Sequence, residues 1–525
     1  MKRLVMAVAS ACSVVIGATT NALATSSPVL VSGPSPYASC SNAGQPGRNY
    51  LNAEVEPQVA DNPNDRSNLV GMFHQDRWSN GGAHGIAGAF THDGGASWTE
   101  ITLPFSDCAP GGLPYHRASD PWMSFGPDGT VYASALSFDQ STSRNAVSAS
   151  VSTDGGATWN HTQTIVAYST AQFFTDKNAT TADPVHAGTA YTVWDTLELA
   201  TDNPDDNPHT QAYTGPAYFS KTVNGGRSWS TPRIIIQTGE RQQTIGNIIV
   251  VDPRNDTLYD FTDLIVPPNT PFQGTRSKEL VAFVKSTDGG RTWTAPQVIA
   301  PFNSLGVRDP NTGQRLRVGD GLEEVAIDPA NGKLYVVWES STNYLKNLQQ
   351  SSLSWDDEIL ISTSSNGGTT WTAPKVVHKL ASGLPTYTPT VAVGSNSTVA
   401  VTYYDNRSLS STNTLTLPTD YWVSYSTNGG ASFGNEQHIA GPFDQLSAPV
   451  ARGFFLGDYE GLQSTGSGSV VTFEAMFVKT NCNLNPAAPN APPPASDTAC
   501  GPASSSTSPT PNTNPTDVFS SRLSP

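Results

Sequence analysis

The chain has 525 residues, of which 45 are glycine, 40 are proline and only 14% are charged. This composition excludes a long helical or coiled-coil protein and is typical of a turn-dense extracellular one. The formal net charge of −16 comes from 44 acidic and 28 basic residues with no basic run, so we expect no nucleic-acid partner.

The first element is a secretory signal peptide over residues 1–24. Lys2 and Arg3 form its positive end, residues 4–18 are apolar, and Ala22 and Ala24 mark a small-residue cleavage site. No later apolar stretch reaches the roughly 20 residues that cross a bilayer. We therefore expect a secreted or extracellular monomer without membrane insertion, with the periplasm as the alternative location. Residues 25–525 are predicted to form a single domain.

Four cysteines follow the signal peptide, and they are Cys40, Cys108, Cys482 and Cys500. An even number in an oxidising compartment predicts two disulfides, for which three pairings are open. We favour Cys40 with Cys108, which ties the N-terminal segment to the first repeat, and Cys482 with Cys500. The second pair would close a loop in a Pro/Ser/Thr-rich insertion, at about residues 482–516, that we expect to be flexible.

One short motif occurs six times between residues 91 and 433, in the form Ser/Thr-x-Asp/Asn-Gly-Gly-x-Ser/Thr-Trp/Phe. Its Asp or Asn can cap backbone N–H groups, its glycines supply positive φ, and its aromatic residue packs inward. Each copy therefore predicts a tight β-turn that stabilises the fold. The third positions, spaced by 61, 70, 64, 78 and 62 residues, are Asp93, Asp154, Asn224, Asp288, Asn366 and Asn428.

These six copies resemble the Asp-box, or BNR, repeat of the sialidase superfamily of β-propellers. The resemblance implies an all-β propeller and, less specifically, an exo-α-sialidase-like glycosidase, because one fold hosts many functions. Seven β-rich runs that each end in an acidic residue predict the number of blades. These acids are Asp76, Asp139, Asp195, Asp263, Glu339, Asp405 and Glu474.

We therefore predict seven four-stranded blades, where family sialidases have six, and six remains the alternative. The seventh unit has two strands within residues 454–478 but no Asp-box. We expect residues 518–523 to supply its third strand and the N-terminal residues 28–32 its fourth, which would close the ring and remove an exposed edge.

The Asp-boxes connect the third and fourth strands of the first six blades, so functional residues are expected on the opposite face. The resemblance implies three arginines on a substrate carboxylate, an Asp acid/base, and a Tyr nucleophile activated by a Glu. The catalytic candidates are Asp120, with Asp76 behind it, and Tyr459 with Glu324 or Glu323. The substrate-binding candidates are Arg77, Arg117, Arg407, Arg452, Asp76, Asp405 and Asp458.

The leading hypothesis is a secreted sialidase-like glycoside hydrolase that acts on terminal sugars of extracellular glycans, with a carbohydrate or glycoconjugate as its ligand. The alternatives are a non-catalytic propeller that binds glycans or proteins, and a polysaccharide lyase. We expect no cofactor and no metal. The acidic loop of Asp202, Asp205 and Asp206 offers the hard oxygen ligands of a weak calcium site, but it lacks an EF-hand pattern.

Overall fold

The computed structural model describes residues 26–41, 44–203, 207–208, 212–267, 278–341, 357–378, 380, 383–466, 468, 470–480 and 516–525. These ranges contain 31 β-strands and one short 3₁₀ helix, so the chain is all-β, as expected. No helix in them has the length and apolar character of a membrane span. The predicted signal peptide, and the cysteines Cys482 and Cys500, lie outside the described residues.

Antiparallel pairing arranges most of the described strands in seven groups of four, which we call units one to seven. Units one to three are β2 (Glu54–Asn62), β3 (Asp65–Arg77), β4 (Ala83–Thr91) and β5 (Thr99–Leu103); β6 (Arg117–Phe125), β7 (Val131–Phe138), β8 (Asn145–Ser152) and β9 (Asn160–Tyr168); and β10 (Phe173–Ala182), β11 (Ala190–Glu198), β13 (Ala217–Thr222) and β14 (Arg233–Ile236).

Units four to six follow the same order along the chain. They are β15 (Gln242–Asp252), β16 (Thr257–Val266), β17 (Lys278–Ser286) and β18 (Gln297–Phe302); β20 (Glu323–Ile327), β21 (Leu334–Ser340), β22 (Glu358–Ser364) and β23 (Lys375–His378); and β24 (Thr386–Val393), β25 (Val399–Asp405), β26 (Pro418–Ser426) and β27 (Gly434–Asp444).

Unit seven combines both ends of the described chain. Its strands, in sheet order, are β29 (Gly461–Ser464), β30 (Phe473–Thr480), β31 (Thr516–Leu523) and β1 (Val29–Leu30). Ser32 strengthens the pairing of β1 with β31, because its hydroxyl accepts a hydrogen bond from the Val518 backbone at 3.0 Å and donates one to Asp517 at 3.2 Å. The remaining elements are β12 (Thr214–Gly215), β19 (Leu316–Arg317), β28 (Phe454–Phe455) and the 3₁₀ helix Gln445–Ser447.

The first strands of successive units contact one another around the molecule. The contacting pairs are β2 with β6, β6 with β10, β10 with β15, β15 with β20, β20 with β24, β24 with β29, and β29 with β2. Their residues are largely buried, so the first strands form the interior and the fourth strands lie outside.

The six repeated motifs connect the third and fourth strands of units one to six. In each copy the third-position oxygen accepts the backbone N–H of the residue four positions later, at 2.9–3.0 Å. Both glycines of every copy have positive φ, as a tight turn of this kind requires. The motifs are therefore local turns that their own side chains stabilise.

The closing aromatic residues pack between units rather than within one. Trp293 of unit four lies 5.6 Å from Phe219 of unit three, and Trp371 of unit five lies 5.6 Å from Phe283 of unit four, measured between ring centroids. The Trp98 indole of unit one donates to the Ser520 hydroxyl of unit seven at 3.0 Å. These three motifs thus join their units to the preceding ones.

Cys40 and Cys108 form a disulfide with their Cα atoms 5.5 Å apart, which confirms the favoured pairing. The bond ties the N-terminal segment, which precedes unit one, to the connection between units one and two. The pairing of Cys482 with Cys500 stays a prediction.

Deleting residues 26–32 should lower the melting temperature and promote aggregation, because β31 would become an exposed, unpaired edge. Differential scanning calorimetry and light scattering measure the two effects. The control is Leu30→Ala, which retains the backbone pairing and should lower the melting temperature much less. A deletion variant with the same melting temperature as the wild-type protein would show that β1 does not stabilise unit seven.

Candidate functional site

A cavity of ≈ 780 Å³ opens where the first strands begin, and we call it the central cavity. Its volume falls in the range of ligand sites, roughly 300–1,000 Å³. Acidic and basic side chains from units one to four and from the long connections before units five and seven share its wall. The basic residues among its described lining are Arg77, Arg144, Lys177, Arg315, Arg317 and Arg452.

Backbone bulges in three first strands supply the inner wall of this cavity. The strand register shifts around Glu56 in β2, Asp120 in β6 and Lys177 in β10. These residues have φ of 54°, 51° and 43°, a conformation that costs a non-glycine residue of the order of 1–3 kcal/mol. Strain of this kind persists at functional sites, and it recurs at equivalent positions of four units, because Thr388 in β24 has the same register shift and a φ of 50°.

The Lys177 ammonium lies at the centre of a buried ionic cluster. Its Nζ is 2.9 Å from Asp120 Oδ1, 2.8 Å from Asp458 Oδ2 and 3.4 Å from Glu56 Oε1. The side chain is only 11% exposed, and the three acids are 2–8% exposed. One cation therefore holds together carboxylates from units one and two and from the connection before unit seven.

Arg317 adds a second cation to this cluster through two hydrogen bonds to Asp458. Its Nε lies 3.1 Å from Asp458 Oδ1 and its Nη2 lies 2.6 Å from Oδ2. In the parallel pairing of β19 with β28, Arg317 and Phe455 are direct register partners. Two long connections, one before unit five and one before unit seven, thus form one wall of the central cavity.

The ionic cluster keeps two carboxylates charged. Burial opposes ionisation of Asp458, but Arg317 and Lys177 outweigh it and hold the pKa of Asp458 well below its usual range. Lys177 does the same for Asp120, whose pKa is lowered despite its burial. The three acids in turn raise the pKa of the Lys177 ammonium, although burial alone would lower it.

Asp320 is the opposite case in the same cavity. Its side chain is exposed to the cavity, yet the protein walls around it displace enough water to raise its pKa to about 7, and the charge of Asp458 adds to this effect. Glu56 behaves similarly, because burial raises its pKa to about 7 even though Lys177 opposes the shift. The cavity therefore contains carboxyl groups that titrate near neutrality beside others that stay ionised.

The structure brings four of the predicted site residues to the central cavity, and they are Arg77, Asp120, Arg452 and Asp458. Two predicted arginines lie elsewhere. The Arg117 guanidinium donates to the Gly81 and Pro46 carbonyls at 2.7 and 2.6 Å and stacks on Trp78. The Arg407 guanidinium lies 3.6 Å from the Trp422 ring centroid and pairs with Asp405 and Glu436, beside the outer strands of units five and six.

Asp76 and Asp405 also lie outside the lining of the central cavity. Asp76 accepts hydrogen bonds from the Ser35 hydroxyl at 2.6 Å and the Asn52 backbone at 2.8 Å, so it fixes the N-terminal segment. Asp405 accepts from the Arg407 Nε at 2.7 Å. These two acids at the ends of second strands fix neighbouring segments.

Tyr459, Glu323 and Glu324 meet at a separate small cavity on the other side of Lys177, which lines both cavities. The Tyr459 ring packs edge-on against Trp122 at 5.4 Å. Its buried hydroxyl has no hydrogen-bond partner among the described residues, and neither oxygen of Glu323 has one. The expected Tyr–Glu hydrogen bond is therefore absent from the described contacts, although the three residues are neighbours.

The predicted calcium loop is only partly described. Asp202 accepts a hydrogen bond from the Ala171 backbone at 2.6 Å, whereas Asp205 and Asp206 lie outside the described residues. Among the described residues, the one cluster of three potential metal ligands is Cys40, Asp107 and Cys108. Its cysteines form the disulfide, so they are not available as thiolate ligands.

No protein-family model matches the sequence, and no curated protein matches it. Solved structures similar to this one include a Penicillium chrysogenum alpha-L-arabinanase complexed with arabinobiose, at 13% identity, 73% coverage of this chain, 94% of that chain and a TM-score of 0.44. A Dyadobacter fermentans protein of unknown function is similar at 13% identity, 95% and 98% coverage and a TM-score of 0.45. A Hadza microbial sialidase is similar at 13% identity, 78% and 70% coverage and a TM-score of 0.42. None of these likenesses assigns an activity to this chain.

Replacing Lys177 with Met should destabilise the protein by about 3–5 kcal/mol at pH 7, because buried carboxylates would lose their cation. This loss of stability should shrink as the pH falls. The low folded pKa values of Asp458 and Asp120 depend on the Lys177 ammonium, so without it these acids become protonated at a higher pH, and a protonated acid needs no cation. Urea denaturation at pH 7 and pH 4 measures both effects.

The matched control is Lys221→Met. The Lys221 Nζ donates to the backbone carbonyl of Gly289, in the repeated motif of unit four, at 2.9 Å. This control should lose much less stability than the Lys177 variant. A Lys177 variant as stable as wild type at pH 7, or equally destabilised at both pH values, would contradict the role given to the ammonium.

Proposed function

We propose that the seven units are the blades of a closed β-propeller. Two observations support this proposal: the first strands contact one another in a continuous cycle, and unit seven pairs the N-terminal β1 with β31. The indole of Trp98 adds a bond between units one and seven. Closure in this way leaves no exposed sheet edge between the two chain ends.

We further propose that the protein is a secreted glycoside hydrolase that acts on terminal sugars of extracellular glycans in the central cavity. The observation that carries this proposal is the pair Asp320 and Asp458, two interacting carboxyl groups whose surroundings move their pKa values in opposite directions. Two carboxyl groups with pKa values moved apart in this way are the usual general acid and carboxylate anion of glycosidases.

In this scheme Asp320 is the general acid that protonates the leaving oxygen. It faces the cavity, and its pKa of about 7 keeps a large protonated fraction at neutral pH. Asp458 is the ionised partner near the positive charge that develops on the sugar as the glycosidic C–O bond breaks. A water molecule then adds to that sugar carbon, and its proton passes to the Asp320 carboxylate, which restores the general acid. Asp120 stays ionised beside Lys177, so it is better suited to positioning this cation than to donating a proton.

The substrate class follows from the arginines at the cavity mouth. Arg315 and Arg452 are exposed, and neither guanidinium forms an ion pair among the described residues. Partial burial, and then the charges of Arg317 and Arg315, lower the pKa of Arg452, which indicates a cluster of cations. Such a cluster favours a sugar that bears a carboxylate, such as a sialic or uronic acid.

A non-catalytic glycan-binding propeller is the second candidate. It is favoured by the Tyr459 hydroxyl, which lacks the glutamate contact that a tyrosine nucleophile needs. The two candidates differ in turnover, because a binding protein would hold the same carboxylated sugars without hydrolysing them.

Hydrolysis of fluorogenic sialosides, uronides and neutral glycosides tests the proposal. We expect turnover of a carboxylated substrate, with kcat lowered by about 10²–10⁴-fold in Asp320→Asn. Wild-type kcat should fall as the pH rises through about 7, because the acid loses its proton there. No turnover of any substrate in the panel would contradict the hydrolase.

Two further variants make this test specific. Asp256→Asn changes an exposed residue of a unit-four turn at φ 60°, a conformation that Asn tolerates, and should leave kcat unchanged. Tyr459→Phe should retain activity if the two carboxyl groups carry the reaction. Loss of activity in Tyr459→Phe with a wild-type rate in Asp320→Asn would favour the tyrosine mechanism instead.

A further inference from the structure

The lining of the central cavity extends beyond the ionic cluster to residues of unit two and the start of unit three. We call this extension the outer arm, and its defining residues are Phe138, Asp139, Arg144, Phe173 and Phe174. They come from the end of β7, from the connection between β7 and β8, and from the start of β10. Because the arm and the ionic cluster line one cavity, a ligand can occupy both at once.

Aromatic rings form the floor of the outer arm. Phe173 and Phe174 are partly exposed and add aromatic surface to a cavity whose lining is mostly polar. Phe173 is stacked on Tyr168 with ring centroids 4.9 Å apart, and Phe174 meets Phe138 edge-on at 6.0 Å. These contacts fix the two rings before any ligand arrives, which reduces the entropic cost of binding.

The backbone that carries the two rings is also fixed to unit two. The Asn145 amide donates to the Phe173 carbonyl at 2.8 Å, and its oxygen accepts the Thr175 N–H at 3.0 Å. One side chain thus holds the backbone on both sides of Phe174.

The charges of the outer arm compensate one another. Asp139 is 3.2 Å from Arg144 Nη1 and accepts the His116 N–H and the Thr142 hydroxyl, both at 3.0 Å. Arg144 Nη2 donates to the Pro114 carbonyl at 2.7 Å. The arm therefore has little attraction for a charged group, and its surface combines apolar rings with satisfied polar groups.

We propose that the outer arm is a binding subsite for neutral sugar units joined to the terminal sugar in the central cavity. The C–H face of a sugar ring packs on an aromatic ring, while its hydroxyls reach the polar groups around it. This inference rests on the proposed glycan-acting function and deepens it: the substrate is an oligosaccharide chain, bound along unit two, rather than a single sugar on an arbitrary leaving group.

Binding tests the outer arm independently of hydrolysis. The probes are neutral di- and trisaccharides of galactose, glucose, mannose and arabinose, titrated into the intact protein by isothermal calorimetry. We expect wild type to bind at least one of them, and Phe173→Ala and Phe174→Ala to weaken that binding by about tenfold. The control Tyr213→Ala removes an exposed aromatic ring outside the cavity lining and should bind as wild type does.

Two results would overturn the proposal: wild type that binds none of these neutral oligosaccharides, or ring variants that bind them as tightly as wild type. Circular dichroism and melting temperature confirm that each variant is folded. Hydrolysis of aryl monoglycosides is measured separately. Binding that depends on the rings, without turnover, would contradict the hydrolase and support the subsite. Turnover without binding that depends on the rings would support the hydrolase and contradict the subsite.

Discussion

The site depends on one buried ammonium group. Lys177 contacts three carboxylates that belong to distant parts of the chain. None of these acids could remain charged in the interior without a cation. The ionic cluster therefore fixes the relative positions of units one, two and three where their first strands converge. It also separates the small cavity of Tyr459 from the open central cavity, because Lys177 lines both.

The architecture explains why strain and charge gather at this point. The repeated motifs and their aromatic residues stabilise the opposite ends of the units through local turns and contacts between neighbours. This support allows the first strands to bulge at Glu56, Asp120 and Lys177 without loss of pairing beyond the bulge. A rigid scaffold with a strained, polar centre is a common arrangement for binding and catalytic sites.

Local chemistry made part of this structure predictable. The six turns follow from residues within eight positions of one another, and the strand pattern gave the unusual composition of unit seven. The site was harder, because its members meet only through long-range packing. Lys177 and Arg317 belong to no motif, and Asp320 differs from other acids only in its surroundings. One signal was present in the sequence: proline follows Glu56 and Asp120, and within strands proline is largely confined to edges and bulges.

One carboxyl group of the central cavity is poised near neutrality beside another that stays ionised. The most direct test is ¹³C NMR titration of the intact protein with labelled aspartate, using Asp320→Asn to assign the Asp320 signal. We expect a midpoint for Asp320 near 7, with Asp458 still ionised throughout that titration. A midpoint near 4 for Asp320, the ordinary value of an exposed aspartate, would contradict it.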